Sequence, residues 1–533
     1  MVEILLFGSP CAGTFVAEET SCCFKNICLN PILWKTSLSG INPPSWRFFF
    51  ARTRKTRSGG KTLLLWTLKQ VSVALIKSIS GIRGTIGGKP GENLSPLDVV
   101  KFTAAYGSRI LQKNKGKKIV IGRDGRVSGE MVSSLVVSTL RGLGLDVIDL
   151  GLSTTPTVEL AVPGEKAAGG IILTASHNPK EWNALKLLNS DGEFISAEEG
   201  AAILEKAEKE DFVFATVDKL GEYSLKNDWL EKNIDVVVKY PLVDIPAIRE
   251  RKYKIVVDVI NSTGALFIPP LLKALGVEEV ILINEEVNGR FEHNPEPLPE
   301  NLTGLSVKVQ QTKADLGIAV DPDVDRLCFV CEDGSMFGEE YTLVAVADYV
   351  LSKRPGNTVS NMSSTKALKE ITIKRGGEYY PSAVGEVNVV NTMKRVNAVI
   401  GGEGNGGIIV PDLHYGRDAL IGIGLFLSAL AHHKNGIKSF RSQYPDYFIS
   451  KNKIELGMGI DVPAIFEKIK KKYKNHPINT DDGLKIEFDN DWVHLRTSNT
   501  EHIIRIYAES NFETTANNIA LRLMQDIKEF ITP

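Results

Sequence analysis

Short β-branched runs and amphipathic stretches alternate through most of this chain, and that alternation constrains its fold more than any other feature. In a first unit, strand-like runs at residues 118–122, 145–150 and 169–173 flank a helical period over 130–143. In a second, runs at 254–258, 280–283 and 315–320 are joined by a helix over 265–275 and by a proline-rich connection, Asn294-Pro295-Glu296-Pro297-Leu298-Pro299, that leads into another helix. In a third, a helix over 341–351 precedes strands near Thr358 and Val399. Each unit follows one plan of strand, polar or glycine-rich loop and helix, which signals a parallel α/β sheet. The repeat is one of architecture, not of sequence identity. The last stretch breaks the plan: runs at 484–488, 492–495 and 503–507 read as antiparallel strands closed by a helix over 515–531. The expected fold class is α/β: three similar α/β domains with mixed, mostly parallel sheets (74–222, 223–335, 336–447) plus a C-terminal α+β domain (448–533) around a central cleft.

A chain of 533 residues is too long for one hydrophobic core, so several domains are required in any case. Its net charge of −1 argues against nucleic acid or a membrane surface as a partner, and no run of 18 apolar residues predicts a membrane span. Residues 1–73 differ from the rest. From Thr20 to Gly91 there is no acidic residue, Cys11, Cys22, Cys23 and Cys28 crowd together, and no helical or strand period is sustained. We expect a disordered or non-native extension there in preference to a transit peptide. Gly60-Lys61-Thr62 ends like a phosphate-binding P-loop, but Lys55 stands where the first glycine is required. Cys328 and Cys331 lie in an apolar run without a second pair to complete a zinc site, so they read as small core residues in a reducing, cytoplasmic compartment.

Four loops carry the chemistry. In Thr174-Ala175-Ser176-His177-Asn178-Pro179 a serine sits at the carboxyl end of a buried strand, where open α/β sheets place ligands. Ser176 is a candidate nucleophile, with His177 adjacent and Lys186 ten residues on. In Asp321-Pro322-Asp323-Val324-Asp325-Arg326, carboxylates at alternate positions can converge on Mg²⁺. Arg326 occupies the place where a calcium loop of EF-hand type needs glycine. Gly402-Glu403-Gly404-Asn405-Gly406-Gly407 has dinucleotide-loop spacing but is followed by Ile408-Ile409-Val410 instead of a helix, so Glu403 and Asn405 suit sugar hydroxyls better than a pyrophosphate. Arg496-Thr497-Ser498-Asn499-Thr500-Glu501 offers an arginine and small polar residues as a phosphate nest. Arg83, between Gly81 and Gly84, is a further anion-binding candidate, and Arg123-Asp124-Gly125-Arg126 ends a strand where it could face the same cleft.

In this order and at these intervals the four loops resemble those of the α-D-phosphohexomutase family, over residues 74–533. Within it the chain is most similar to bacterial phosphoglucosamine mutases, through Ile82-Arg83-Gly84 and Ser498-Asn499-Thr500-Glu501. One departure stands out. The usual sugar loop of those enzymes carries Ser-Gly-His where this chain has Asn405-Gly406-Gly407, a form also seen in archaeal-type mutases that accept other hexoses. The resemblance implies a phosphorylated Ser176 and Mg²⁺ on Ser176, Asp321, Asp323 and Asp325. It implies Arg83, His177 and Lys186 for proton handling and charge stabilisation, and Arg326, Glu403, Asn405, Arg496, Ser498, Asn499 and Thr500 for substrate binding. A bisphosphorylated hexose is then activator and intermediate, the partner is a small hexose phosphate, and the protein acts as a monomer or homodimer. The implied reaction converts glucosamine 6-phosphate to glucosamine 1-phosphate, with phosphomannomutase or phosphoglucomutase activity as the alternative.

Overall fold

The computed structural model describes residues 50–58, 61–69, 75–78, 81–113, 116–457, 460–497 and 503–531. The chain divides into two units, Met1–Ser72 and Val73–Pro533. In the first, β1 (Phe50–Ser58) pairs antiparallel with β2 (Lys61–Lys69). These two strands fall within residues 1–73, where the sequence shows no sustained strand period. The rest of the proposed extension, with its four cysteines, lies outside the described residues.

Among the described residues, the second unit holds four sheets. The first comprises β3 (Ile76–Ser78), β4 (Gly81–Thr85), β5 (Lys118–Arg123), β6 (Asp146–Leu152), β7 (Gly169–Leu173), β8 (Trp182–Leu188) and β9 (Tyr223–Leu225), in the order β3-β4-β8-β7-β5-β6-β9. The second contains β10 (Lys254–Asp258), β11 (Glu279–Ile283), β12 (Leu316–Val320) and β13 (Leu327–Cys331), ordered β11-β10-β12-β13. The third contains β14 (Asn357–Asn361), β15 (Tyr379–Ser382), β16 (Ala398–Glu403) and β17 (Gly407–Ile409), ordered β15-β14-β16-β17. The three share one pattern. A buried strand (β7, β12 or β16) pairs parallel with one neighbour and antiparallel with the strand that follows it in the chain. The connections that leave it, residues 174–181, 321–326 and 404–406, contain the serine, aspartate and sugar loops. Three of the candidate loops thus occupy one topological position in three sheets.

All residues of β7, β12 and β13 are buried, as expected for strands covered on both faces. The helix Ala419–Ala431 is apolar around its circumference and buried along nearly its whole length. Such a helix must be covered on every side. It lies in a core that runs continuously from the second sheet to the third, with Phe329 stacked on Phe426 at 3.6 Å between ring centroids. Cys328 and Cys331 are buried with free thiols in β13, as read from the sequence. Among the described residues, no helix is long and apolar enough to cross a membrane.

The fourth sheet is antiparallel: β18 (Phe448–Glu455), β19 (Ile478–Asn479), β20 (Leu484–Glu487), β21 (Trp492–Thr497) and β22 (Ile503–Ser510), ordered β18-β22-β21-β20-β19. The helix Glu513–Ile531 packs on it around a separate core. Polar groups join this sheet to the third: Lys485 Nζ donates to Met362 O (2.8 Å), Ser363 Oγ meets His494 Nδ1 (2.8 Å), and Lys366 N donates to Glu509 Oε2 (3.0 Å). The fold class read from the sequence is the one observed, three α/β layers with mixed sheets and a C-terminal α+β element.

Candidate active site

Ser176 sits just beyond β7 with φ +50°, the left-handed region that an L residue adopts only where its surroundings impose it. The imposing group is Arg126. Its side chain is fully buried, and its guanidinium donates to the carbonyls of Ser176 (2.5 Å), Asn178 (2.7 Å), Pro179 (2.8 Å) and Trp182 (2.9 Å) and to Asp124 Oδ2 (3.0 Å). Those five bonds use every N–H of the group. Arg126 therefore shapes the serine loop from beneath, a correction to our reading that its segment faces a cleft. Thr174 Oγ1 completes the frame, donating to Asp124 Oδ2 (2.6 Å) and accepting from Ser176 N (2.9 Å).

Ser176 Oγ donates to Asp321 Oδ2 at 2.7 Å, which brings the first two loops together. The other oxygen of Asp321 accepts from the backbone N–H of Asp325 and Arg326, both at 3.1 Å, and so folds its own loop. Asp323 Oδ2 accepts from Thr155 Oγ1 (2.6 Å) and Lys186 Nζ (2.7 Å). Asp325 Oδ2 accepts from Arg417 Nη2 (2.7 Å) and Lys186 Nζ (3.3 Å). Asp323 Oδ1 and Asp325 Oδ1 are buried without a hydrogen-bond partner, and one oxygen from each of the three aspartates lies within 4.8 Å of the others. Unpartnered carboxylate oxygens are costly inside a protein unless a cation meets them, and an oxygen-only set suits Mg²⁺. Burial and the charges of Asp325 and Asp323 raise Asp321 well above the usual carboxylate range. Burial acts the same way on Asp325, but Arg417, Lys186 and Arg326 outweigh it and hold that carboxyl down. Val324 adopts φ +61° within the loop, a second strained residue, fully buried.

The candidate proton carriers are sharply different. Burial opposes the charge of Lys186, yet Asp323 and Asp325 raise its pKa, so it is an ammonium ion fixed between two carboxylates. His177 is pushed well below its ordinary value by burial and by Arg326 and Arg83. It is a neutral imidazole, with Nδ1 3.5 Å from Ser176 Oγ and Nε2 3.9 Å from Glu296 Oε1. Arg83 reaches the same loop, Nη1 to Asn178 Oδ1 at 3.5 Å, and is lowered by burial and by Arg326 and Arg505. Arginine charges gathered around a buried guanidinium in this way mark a site prepared for an anion. Arg326 is steadied by Glu296 at 2.8 Å.

Glu403 is buried at the end of β16. Its Oε1 accepts from Asn361 Nδ2 (2.9 Å) and Gly385 N (3.1 Å), and its Oε2 from Arg417 Nη1 (2.9 Å) and Asn405 Nδ2 (3.4 Å). Arg417, like Thr155, is a residue that sequence reasoning missed. Buried, it touches Asp325 in the aspartate loop, Glu403 in the sugar loop and Glu386 Oε2 (3.0 Å) at the start of helix Glu386–Val396. The only local signal was Arg417-Asp418 ahead of an apolar run, which reads as a helix cap; Asp418 does cap that helix. Arg496 lies on β21, with Nε 3.4 Å from Asp482 Oδ2, and Asp482 accepts from Val384 N at 2.9 Å. It is thereby joined to the segment beside Gly385 and Glu403, with no hydrogen bond or ion pair to Ser176 or the aspartates. Ser498, Asn499, Thr500 and Glu501 lie outside the described residues.

Family models described as phosphoglucomutase/phosphomannomutase α/β/α domains I, II and III match residues 75–214, 232–334 and 338–447. A phosphoglucomutase/phosphomannomutase of Thermococcus kodakarensis is 35% identical over 83% of this chain and 98% of its own length. A probable phosphoglucosamine mutase of Methanopyrus kandleri is 32% identical over 84% and 98%. The crystal structure of a phosphoglucomutase/phosphomannomutase family protein from Burkholderia thailandensis superposes with a TM-score of 0.73 at 24% identity, covering 86% of this chain and 98% of that one.

Proposed function

The chain belongs to the α-D-phosphohexomutase family and is accordingly an isomerase, and from that premise we propose that it moves phosphate between the 6- and 1-positions of a hexose through a phosphoserine at Ser176 and a bisphosphorylated sugar. The preferred substrate in this reading is glucosamine 6-phosphate. Support for it comes from Ile82-Arg83-Gly84 and Ser498-Asn499-Thr500-Glu501. A phosphoglucomutase/phosphomannomutase is the second reading, favoured by Gly407 in place of a loop histidine and by the name of the Thermococcus relative.

Asp321, Asp323 and Asp325, with Ser176, would hold Mg²⁺, which when bound supplies a hard positive charge beside the serine oxygen. The protein's own groups do the rest. As the bond from Ser176 Oγ to phosphorus breaks, a new bond forms from phosphorus to the sugar hydroxyl, and the hydroxyl proton passes to a base. His177, neutral and facing Ser176 Oγ, is able to accept a proton; Lys186, already a cation, is able only to give one. Arg83 and Arg326 meet the charge of the transferring phosphate, and Arg496 anchors the phosphate at the far end of the sugar, which turns a bimolecular step into a positioned one. The bisphosphorylated sugar then turns over and returns its other phosphate to Ser176. A free cytoplasmic hexose phosphate, acted on by a monomer or homodimer, completes the reading.

The observation that carries it is the 2.7 Å contact between a strained serine hydroxyl and a carboxylate trio with two unpartnered oxygens. Protein purified from cells should have an intact mass higher by one phosphate, located on Ser176, and Ser176→Ala should lose both that mass and turnover. A Ser176→Ala enzyme that still interconverts hexose phosphates overturns the proposal. Comparing kcat/KM for glucosamine, glucose and mannose 6-phosphates decides between the two substrate readings, the largest value naming the substrate.

A further inference from the structure

A second polar cluster lies behind the site. His414 is buried between two carboxylates: its Nδ1 is 3.2 Å from Glu159 Oε2, and its Nε2 is 3.2 Å from Asp418 Oδ2. Glu159 belongs to helix Thr155–Gly164 of the first sheet, whereas His414 and Asp418 precede helix Ala419–Ala431 beside the third. Glu159 is essentially inaccessible, and its carboxylate has no hydrogen bond to answer its burial apart from this ion pair. Asp418 spends its other oxygen on capping, accepting from Leu420 N (2.7 Å) and Ile421 N (3.3 Å). Gly416 closes the cluster: a Cβ there would stand 1.9 Å from Glu159 Oε2 and 2.8 Å from His414 Nδ1. Three carboxylate-bearing or imidazole side chains have thus been taken out of water at a considerable cost, and the helix cap made by Asp418 accounts for only one of them.

The placement supplies a role. Thr155 and Glu159 are four apart on one helix, so they share a face. Thr155 holds Asp323 through its hydroxyl (2.6 Å) and through its N–H, which donates to Asp323 O (2.9 Å). Glu159, one turn along, holds His414. Three residues beyond His414, Arg417 holds Asp325 and Glu403. The polar contacts therefore form a closed circuit: helix to Asp323, aspartate loop to Arg417, Arg417 to His414 along the chain, and His414 back to the helix. We propose that Glu159 and His414 are positioning residues, a buried strut with Asp418 that fixes Arg417, and hence the Asp325 and Glu403 carboxylates, relative to the helix that holds Asp323. Burial works against the charge of His414, but Asp418 and Glu159 raise it to about 10, so the imidazolium is maintained at neutral pH. Burial, with Glu386, raises Glu159 to about 8 against the pull of His414 and Lys186, so its contact with His414 rests on their buried geometry, and Asp418 is the carboxylate that chiefly keeps His414 charged. Ligand-supporting contacts of this kind tune a metal site without touching the metal.

The inference rests on the Mg²⁺-dependent mutase reading, and its test separates the two. Full-length Glu159→Gln, His414→Gln and Gly416→Ala proteins should be compared with the parent in two measurements: the Mg²⁺ concentration giving half-maximal mutase velocity, and the rise in Tm produced by Mg²⁺ alone. The strut requires the first to increase about tenfold to a hundredfold and the second to shrink at a fixed Mg²⁺ concentration, with KM for the hexose phosphate rising as Glu403 loosens. Variants that lose Tm but keep the parent's Mg²⁺ concentration, KM and Mg²⁺-induced shift have lost only a structural contact, and that result overturns the proposal. If His414→Gln fails to fold, Glu159→Gln, nearly isosteric and leaving His414 its contact with Asp418, decides alone. A parent that shows the Mg²⁺-induced Tm rise but turns over no hexose phosphate sinks the mutase reading, and the strut is then judged on the Tm measurement.

Discussion

Arg126 and Ser176 show how unevenly single residues announce themselves. Ser176, the aspartates and Arg326 were legible because their chemistry is written in local spacing: a serine after an apolar run, carboxylates at alternate positions of a tight loop. The role of Arg126, and Thr155 and Arg417 altogether, were not, because each acts on a segment far along the chain, 53, 168 and 92 residues away. No pattern in one sequence records such a pairing. The consequence for Arg126 is measurable. Replacing it with Met strands four loop carbonyls and the buried Asp124 carboxylate, and breaking a buried charge pair costs about 3–5 kcal/mol. Arg126→Met should lower stability by that order in urea unfolding and abolish phosphate incorporation at Ser176. Arg126→Lys should recover little, since an ammonium ion has three donors and no planar fork. Arg126→Met with unchanged unfolding midpoint would show that the loop holds its own shape.

At the scale of elements, most of the strands and helices read from the sequence fell within two residues of their expected limits, since β-branched runs and helical periods are local properties, but β22 runs on to Ser510 and the helices Pro96–Lys113 and Ala419–Ala431 were not read at all. What stayed hidden was the strain in the connections. Ser176 and Val324 adopt positive φ with no glycine to mark it, and the sequence offers no warning when tertiary contacts impose such a conformation. The sugar loop does carry glycine where it is needed. Gly406 has φ +85°, and a Cβ there would lie 2.2 Å from Leu327 O and 2.9 Å from Leu327 N, at the point where Leu327 N donates to Gly406 O (3.1 Å). The third sheet's loop is thus pressed onto the first residue of β13, directly behind Arg326. Gly91 provides the contrast: φ +81° with open space around it. Gly91→Ala should cost about 1 kcal/mol, the backbone penalty alone, with kcat/KM unchanged. Gly406→Ala should cost distinctly more and lower kcat/KM about tenfold or beyond, as aspartate and sugar loops part. Equal effects of the two substitutions, read by urea titration and steady-state kinetics, would remove the packing argument.

In the second unit, two of the joints between sheets differ sharply in chemistry, and neither is visible in composition. The second and third sheets share one core around Ala419–Ala431, a continuous apolar seam. The fourth meets the third through polar groups instead, and these give that joint a pH dependence with a definite sign. Burial holds His494 down to about 4, with the Lys485 charge helping and the Asp482 carbonyl opposing. In the folded state the neutral ring donates from Nε2 to Asp482 O (2.6 Å), which leaves Nδ1 as acceptor for the Ser363 hydroxyl (2.8 Å). A folded pKa below the ordinary 6.5 means that this stabilisation is complete above pH 6.5 and drains away as pH falls from there through about 4. A shift of that size corresponds to at most about 3 kcal/mol. Glu509, raised chiefly by burial at the same joint, acts in the opposite sense, since its neutral form is the one favoured by folding and is lost at higher pH. The net acid sensitivity must therefore be assigned by substitution. Unfolding of the parent should become easier between pH 6.5 and 4, whereas His494→Gln, which keeps hydrogen-bonding capacity but does not titrate, should be less stable at pH 7 and flatter across that interval. Since β21 also carries Arg496, the parent's KM for hexose phosphate should rise in the same pH window and that of His494→Gln should not. Parallel pH profiles for the two proteins would move the acid sensitivity away from this joint and onto the carboxylates around Ser176.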